Sequence, residues 1–233
     1  MMLEKLKKEI WEANRALFHS GLITLTWGNV SGISRSDGLF VIKPSGVEYA
    51  EMSPDDMVVV DLNGNVVEGK NRPSSDTATH LELYKAFRGI GGIAHTHSTY
   101  AVAFAQALKE IPCLGTTHAD HFFGAVPVTR LLTEQEVDNA YERNTGMVIL
   151  ERFKQMDPLT MPAVLIAGHA PFCWGNSASD AVKNAVALEA VAKMAFDTLQ
   201  LAPDIGELPR HVLQKHYERK HGVNAYYGQK KEQ

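Results

Sequence analysis

The sequence predicts an α/β sandwich built on a largely antiparallel sheet, and three observations lead there. Helical and extended patterns alternate along the chain after a first amphipathic helix. Two short β-branched runs, 39–43 and 57–62, precede Asn63-Gly64 and a further extended piece at 65–68, the two-residue turn signal of a hairpin. A long helix at 177–201 gathers Asp180, Lys183, Asn184, Lys193, Asp197 and Gln200 largely on one stripe, leaving an Ala/Val/Leu surface to be buried.

Each element has its own local reason. Residues 1–18 read as a helix with Leu3, Leu6, Ile10, Ala13 and Leu17 on one face and Lys5, Lys7, Lys8 and Glu9 mostly elsewhere. Residues 76–88 have helical spacing, with Leu81, Leu83, Tyr84 and Phe87 as candidate buried positions. Residues 92–97 and 161–168 are apolar strands, both ending in histidine-bearing segments. Thr133-Glu134-Gln135-Glu136 matches a capping box and opens a helix to about residue 143, and Ser177-Ala178-Ser179-Asp180 opens the long one. Residues 26–29, 43–46 and 72–76 read as loops. No repeat, low-complexity tract or linker divides the chain, so one domain over 1–233 is expected.

Composition narrows the function. At 233 residues, folding buries roughly 70–75% of the unfolded surface, so any metal serves chemistry rather than basic stability. Twenty-three basic against 27 acidic residues, with the signs interspersed, argue against a nucleic-acid binder or a polybasic membrane module. Cys113 and Cys173 have no C-x-x-C spacing and read as free thiols. The first helix lacks a signal-peptide apolar region, and the least charged stretch, 91–108, carries two histidines. A cytoplasmic protein follows as the expectation.

His95-Thr96-His97 is the sharpest local signal. On an extended strand the two imidazoles share a face and can converge on one cation; the alternative is a pair that merely ends a strand at the surface. His169 follows another apolar run and is either a third ligand or a satisfied strand-end histidine. Three imidazoles without cysteine suit a catalytic site with an open coordination position. Gly28, Asn29, Lys43, Ser45, Gly46, Ser74 and Ser75 lie in small-residue loops that allow close backbone approach and offer N–H groups and a point charge to an anion; singly, each also fits an ordinary turn or cap. Asp120 sits in a polar knot inside an apolar region, as a functional carboxylate or in a solvated turn. The tail from His216 carries aromatics and histidines, suited to docking, or to proton exchange through a tyrosine near a cation.

Six segments together resemble the class II aldolase/epimerase (aldolase II/adducin) family: 24–31 (TLTWGNVS), 41–47 (VIKPSGV), 73–76 (PSSD), 95–97 (HTH), 115–120 (GTTHAD) and 224–229 (NAYYGQ). The resemblance implies a three-layer sandwich, its central sheet flanked by helices, and a homotetramer with active sites at subunit interfaces. It implies one zinc per subunit on His95, His97 and His169, with Asp76 as ligand or near neighbour and manganese or cobalt as possible substitutes. Phosphate contacts are implied for Asn29, Lys43, Ser45, Gly46, Ser74 and Ser75. A proton-transfer pair, Asp120 and Tyr227, is implied to come from a neighbouring subunit, with Thr116, Glu142 and His216 in support.

Asp76 matches a position that is glutamate in the family's sugar-phosphate aldolases. The shorter carboxylate resembles the family's epimerases, which interconvert L-ribulose 5-phosphate and D-xylulose 5-phosphate by breaking and re-forming C3–C4. Either L-arabinose or L-ascorbate catabolism would supply that substrate. The competing expectations are a zinc aldolase of the L-fuculose-phosphate type, a dehydratase acting on a thiolated ribulose phosphate, and a non-catalytic adducin-like interaction domain, for which loss of metal ligands is expected.

Overall fold

The computed structural model describes residues 3–227. Its elements run α1 (Glu4–His19), β1 (Asn29–Ser34), β2 (Leu39–Ile42), β3 (Val58–Asp61), β4 (Val66–Glu68), α2 (Thr77–Ala86), β5 (Gly92–His95), α3 (Thr99–Gln106), α4 (Thr116–Ala119), α5 (Glu134–Arg152), β6 (Ala163–Leu165), β7 (Pro171–Gly175), α6 (Ala178–Leu201) and α7 (Arg210–His221). The strands form one sheet in the order β4-β3-β2-β1-β5-β7-β6, and each neighbouring pair is antiparallel.

Alternation along β1 assigns the helices to faces. Ser31 and Gly32 are consecutive, so they point to opposite sides. The Ser31 hydroxyl lies 2.7 Å from both His80 Nδ1 and Tyr84 Oη, which places α2, and α5 packed on it, on one side. Gly32 faces Ile10 of α1, and its cross-strand partner Gly92, paired in turn with Gly175, faces the first turn of α6. A Cβ on Gly92 would stand 2.3 Å from the Ala178 nitrogen, so this strand and helix meet backbone to backbone. The expected three layers result, α1 and α6 over the sheet and α2 with α5 beneath, around one continuous apolar core.

Several expectations need correction. The predicted loop at 26–29 ends in a strand: Asn29 opens β1, a central strand whose Ser and Gly are used for the contacts just described rather than for apolar burial. Strand β7 begins with Pro171, a start that proline permits, and neither it nor α3 has a counterpart in the sequence expectations. Strand β5 ends at His95 rather than residue 97, and β6 is confined to Ala163–Leu165. Helix α5 runs past residue 143 to Arg152, broken at Ala140 (φ −166°, ψ 69°). Lys7, expected mostly away from the apolar face, is buried with its amine 2.5 Å from Glu68, an ion pair that makes burial tolerable.

The hairpin at Asn63-Gly64 forms, but through a three-residue loop. The Asp61 N–H donates to the Asn65 carbonyl, Gly64 alone among the loop residues has positive φ (+90°), and the Asp61 carboxylate accepts the N–H groups of Asn63 and Asn65. A two-residue type I′ turn would need Asn63 left-handed as well; the aspartate's hold on these amides favours the longer loop.

The tail, expected to dock, folds as α7 and packs Leu213 against Cys113 and Ala119 beside α4. Both cysteines are free, as expected, and both are buried. Among the described residues no helix is long and apolar enough to cross a membrane. Gly228 and Gln229 of the sixth segment lie outside the described residues.

Candidate functional site

Antiparallel pairing brings the chemistry to one end of the sheet. Asn29 at the start of β1 lies opposite His95 at the end of β5, which in turn lies opposite Phe172 near the start of β7. His97 follows β5 and His169 precedes β7, so strand order alone draws three imidazoles together. Their nitrogens fit a single cation: one ligand atom from each lies within 4.8 Å of the others, and His95 Nε2 and His97 Nε2 are 3.2 Å apart. They converge although His97 lies beyond the strand that was expected to align them.

The surroundings keep these rings ready to act as ligands. His95 Nδ1 is 2.9 Å from the Pro171 carbonyl, which fixes its proton there and leaves Nε2 with a free lone pair. Burial lowers His97 and His169 to about 4, with neighbouring imidazoles adding to the effect, so both are neutral at pH 7. Asp76 stands beside them, its Oδ2 3.9 Å from His95 Nε2 and 2.7 Å from Asn29 Nδ2. Burial opposes its ionisation, but His95, His80, the Asn29 hydrogen bond and His169 outweigh that and hold it below the usual carboxylate range. Three imidazole nitrogens with a carboxylate alongside form a donor set that fits a zinc-type divalent cation.

A cavity of about 340 Å³ opens over this centre. Gly28, Asn29, Lys43, Ser45, Gly46, Ser74, Ser75, Asp76, His95, His97, Glu142 and His169, all singled out from sequence, line it. The loops at 43–46 and 72–76 are joined by hydrogen bonds from Ser45 N–H to the Arg72 carbonyl and from Ser74 N–H to the Lys43 carbonyl. Helix α2 begins at Thr77, so Ser74 and Ser75 belong to the turn before it rather than to its first turn. Asn29 gives its amide protons to Ser74 and Asp76, while its Oδ1 is buried without a partner among the described residues.

Gly28 has φ +98°, and a Cβ there would lie 2.6 Å from the His95 carbonyl oxygen. Gly28→Ala is therefore expected to cost about 1–3 kcal/mol, lowering the melting temperature by about 2–4 °C per kcal/mol. It should also weaken uptake of a divalent cation by displacing His95. A melting curve and a metal titration check both effects.

Thr116, Asp120, His216 and Tyr227 lie outside the lining of this cavity. Asp120, whose N–H donates to the Thr116 carbonyl, forms a second cluster with His216, Arg219 and Lys220, and Tyr227 lies against the last two. Asp120 is buried rather than in a solvated turn, 3.0 and 2.5 Å from Arg219, 3.2 Å from His216 Nδ1 and 3.7 Å from Lys220. Burial disfavours its charge, but hydrogen bonds from Arg219 and His216 and the nearby Lys220 hold it below the usual range. The Tyr227 ring lies 4.9 Å from the Arg219 guanidinium carbon and 4.5 Å from the Lys220 amine. Sequence reasoning missed Arg219, one of many charges in the tail. It also missed Tyr141, which lines the cavity with its hydroxyl 3.4 Å from His169 Nδ1.

Comparison with known proteins agrees with this architecture. The profile of the class II aldolase and adducin N-terminal domain matches residues 8–196. An L-fuculose 1-phosphate aldolase structure is 27% identical, covers 92% of this chain and 95% of its own, and superposes with a TM-score of 0.78. The YgbL protein of Klebsiella pneumoniae is 26% identical over 92% and 99% of the two chains, TM-score 0.73. The L-fuculose-1-phosphate aldolase of Thermus thermophilus is 25% identical over 88% and 99%, TM-score 0.66. A profile match over most of the chain, joined to the fold and the imidazole centre, establishes that this chain belongs to the class II aldolase and adducin N-terminal domain family.

Proposed function

We propose that the protein is a zinc-dependent sugar-phosphate epimerase that interconverts L-ribulose 5-phosphate and D-xylulose 5-phosphate. The observation that carries the reading is Asp76. Its short carboxylate is tied to Asn29 and set beside the imidazoles, where a side chain one methylene longer would extend further into the cavity as an acid/base. His95, His97 and His169 hold the cation, with Asp76 as ligand or neighbour; when bound, the cation supplies Lewis-acid polarisation of the ketose carbonyl.

The other residues divide between anchoring and proton transfer. Asn29, Lys43, Ser45, Gly46, Ser74 and Ser75 hold the phosphate end, so that after C3–C4 breaks the aldehyde fragment stays bound and can turn. Asp120 and Tyr227 from a neighbouring copy of a homotetramer remove and return the proton of the C4 hydroxyl on opposite faces, supported by Thr116, Glu142 and His216. C3–C4 then re-forms with C4 inverted. The position of the second cluster outside its own chain's cavity supports this sharing.

The rival reading, an aldolase that releases its aldehyde, draws on the two neighbours named as L-fuculose 1-phosphate aldolases. Zinc-loaded protein given L-ribulose 5-phosphate should yield D-xylulose 5-phosphate. Free dihydroxyacetone and glycolaldehyde phosphate, or faster cleavage of L-fuculose 1-phosphate, would overturn the epimerase reading in favour of the aldolase.

Lys43 gives the anion site a pH signature. Its amine is 2.9 Å from the Val47 carbonyl and buried, which lowers it to about 8, with Glu48 opposing only in part. The ammonium form is present below that value and is lost as pH rises through it. Consequently kcat/KM for a phosphorylated substrate should fall above about pH 8, and kcat at a higher pH because bound phosphate favours the ammonium. Lys43→Met should remove this limb and raise KM by about 10–100-fold, the equivalent of one charged hydrogen bond. Steady-state kinetics from pH 6 to pH 10 would show both.

A further inference from the structure

We infer that Tyr141 is a positioning residue of the metal centre, the group that fixes the orientation and proton of His169, and that the break in α5 serves to deliver it. The inference rests on the metal-centre reading but not on the choice between epimerase and aldolase.

A histidine that ligates through Nε2 carries its proton on Nδ1 and needs an acceptor for it. For His95 that acceptor is the Pro171 carbonyl at 2.9 Å. For His169 the group facing Nδ1 is the Tyr141 hydroxyl at 3.4 Å, with ring centroids 6.1 Å apart. With Nδ1 turned to the phenol oxygen, Nε2 is the nitrogen left for the cation. An oxygen that accepts from Nδ1–H directs its own proton elsewhere, and Tyr141 lines the cavity, so the same hydroxyl can donate to a bound ligand.

The helix is built around this placement. Ala140 departs from helical geometry immediately before Tyr141, inside a helix of otherwise regular spacing. Breaks of this kind leave backbone groups to be satisfied by other means. Here Asn144 Nδ2 donates to the Glu136 carbonyl at 2.7 Å, Thr145 Oγ1 to the Tyr141 carbonyl at 2.9 Å, and Thr79 Oγ1 from α2 to the Glu142 carbonyl at 2.5 Å. The Asn144 side chain thus spans the break, Thr145 and Thr79 hold the carbonyls of the two residues that follow it, and those residues, Tyr141 and Glu142, line the cavity.

Tyr141→Phe removes the hydroxyl and keeps the ring. Zinc affinity, measured on the full chain by competition with a chromophoric chelator, is expected to fall about 10–100-fold, the range typical of lost outer ligand partners. The melting temperature of the metal-free chain should stay within about 2 °C of wild type, separating this effect from misfolding. In ¹⁵N imidazole spectra of the zinc-loaded protein, His169 should lose its Nδ1–H···O signature while that of His95 persists. Tyr141→Gln, which restores an acceptor oxygen, should recover part of the affinity. A Tyr141→Phe affinity within fivefold of wild type would overturn the proposal alone; a wild-type chain that takes up no zinc would overturn the metal-centre reading with it.

Discussion

His97→Asn is expected to abolish most zinc binding and reduce turnover by ~10³-fold or more, while the chain still folds. The cation's polarising effect is worth several kcal/mol, and each 1.36 kcal/mol is about tenfold in rate. Only two protein nitrogens would remain opposite the substrate. The fold should survive because His97 lies beyond β5, is only partly buried, and makes its side-chain contacts with His95, His169 and the Trp27 ring 5.9 Å away. Metal content per chain, circular dichroism and a substrate assay separate the effects. A variant that retains a full complement of zinc would contradict the ligand assignment, and wild-type protein indifferent to chelator in both binding and turnover would favour an interaction domain.

The second large effect belongs to the cluster on α4 and α7. Tyr227→Phe should retain zinc and lose about 10²–10⁴-fold in turnover, the range of general acid/base assistance. It is the cleaner variant, because the ring remains beside Arg219 and Lys220 and the Tyr227 N–H still donates to the Arg219 carbonyl. Asp120→Asn should show a similar loss, with some destabilisation from its weakened grip on Arg219. Mixing an Asp120 variant with a His97 variant tests the geography: active sites assembled from two copies would regain some activity as subunits exchange. Additive loss after exchange would place each site within one chain, and full activity of Tyr227→Phe would clear the phenol.

Much of this was legible in the sequence where one local rule had no competitor. The hairpin strands, α2 with Leu81, Leu83 and Tyr84 buried and Phe87 just past its end, and the long α6 follow from periodicity, caps and spacing, while the histidines were legible as candidates only. What escaped depends on distant partners. Strand β1 reads as Asn-Val-Ser-Gly-Ile-Ser, a poor strand by propensity, because Ser31 serves α2 and Gly32 makes room for Ile10. Tyr141 was invisible for a related reason: the break at Ala140 is spanned by Asn144, and the residues after it are held by Thr145 and Thr79, each ordinary in its own window. The division into two clusters was implied by the family resemblance alone and not by local pattern, since Asp120 and the tail meet only through folding.

The glycine pair Gly92 and Gly175 has one more effect. It leaves no side-chain cushion between β5 and the opening turn of α6, and His95 stands only three residues further along that strand. A shift of the outer helix therefore reaches His95 as movement of the chain itself instead of dissipating in rotamer changes. The precision of the imidazole arrangement is thus inherited from interlayer spacing, and damage far from these rings can register there first.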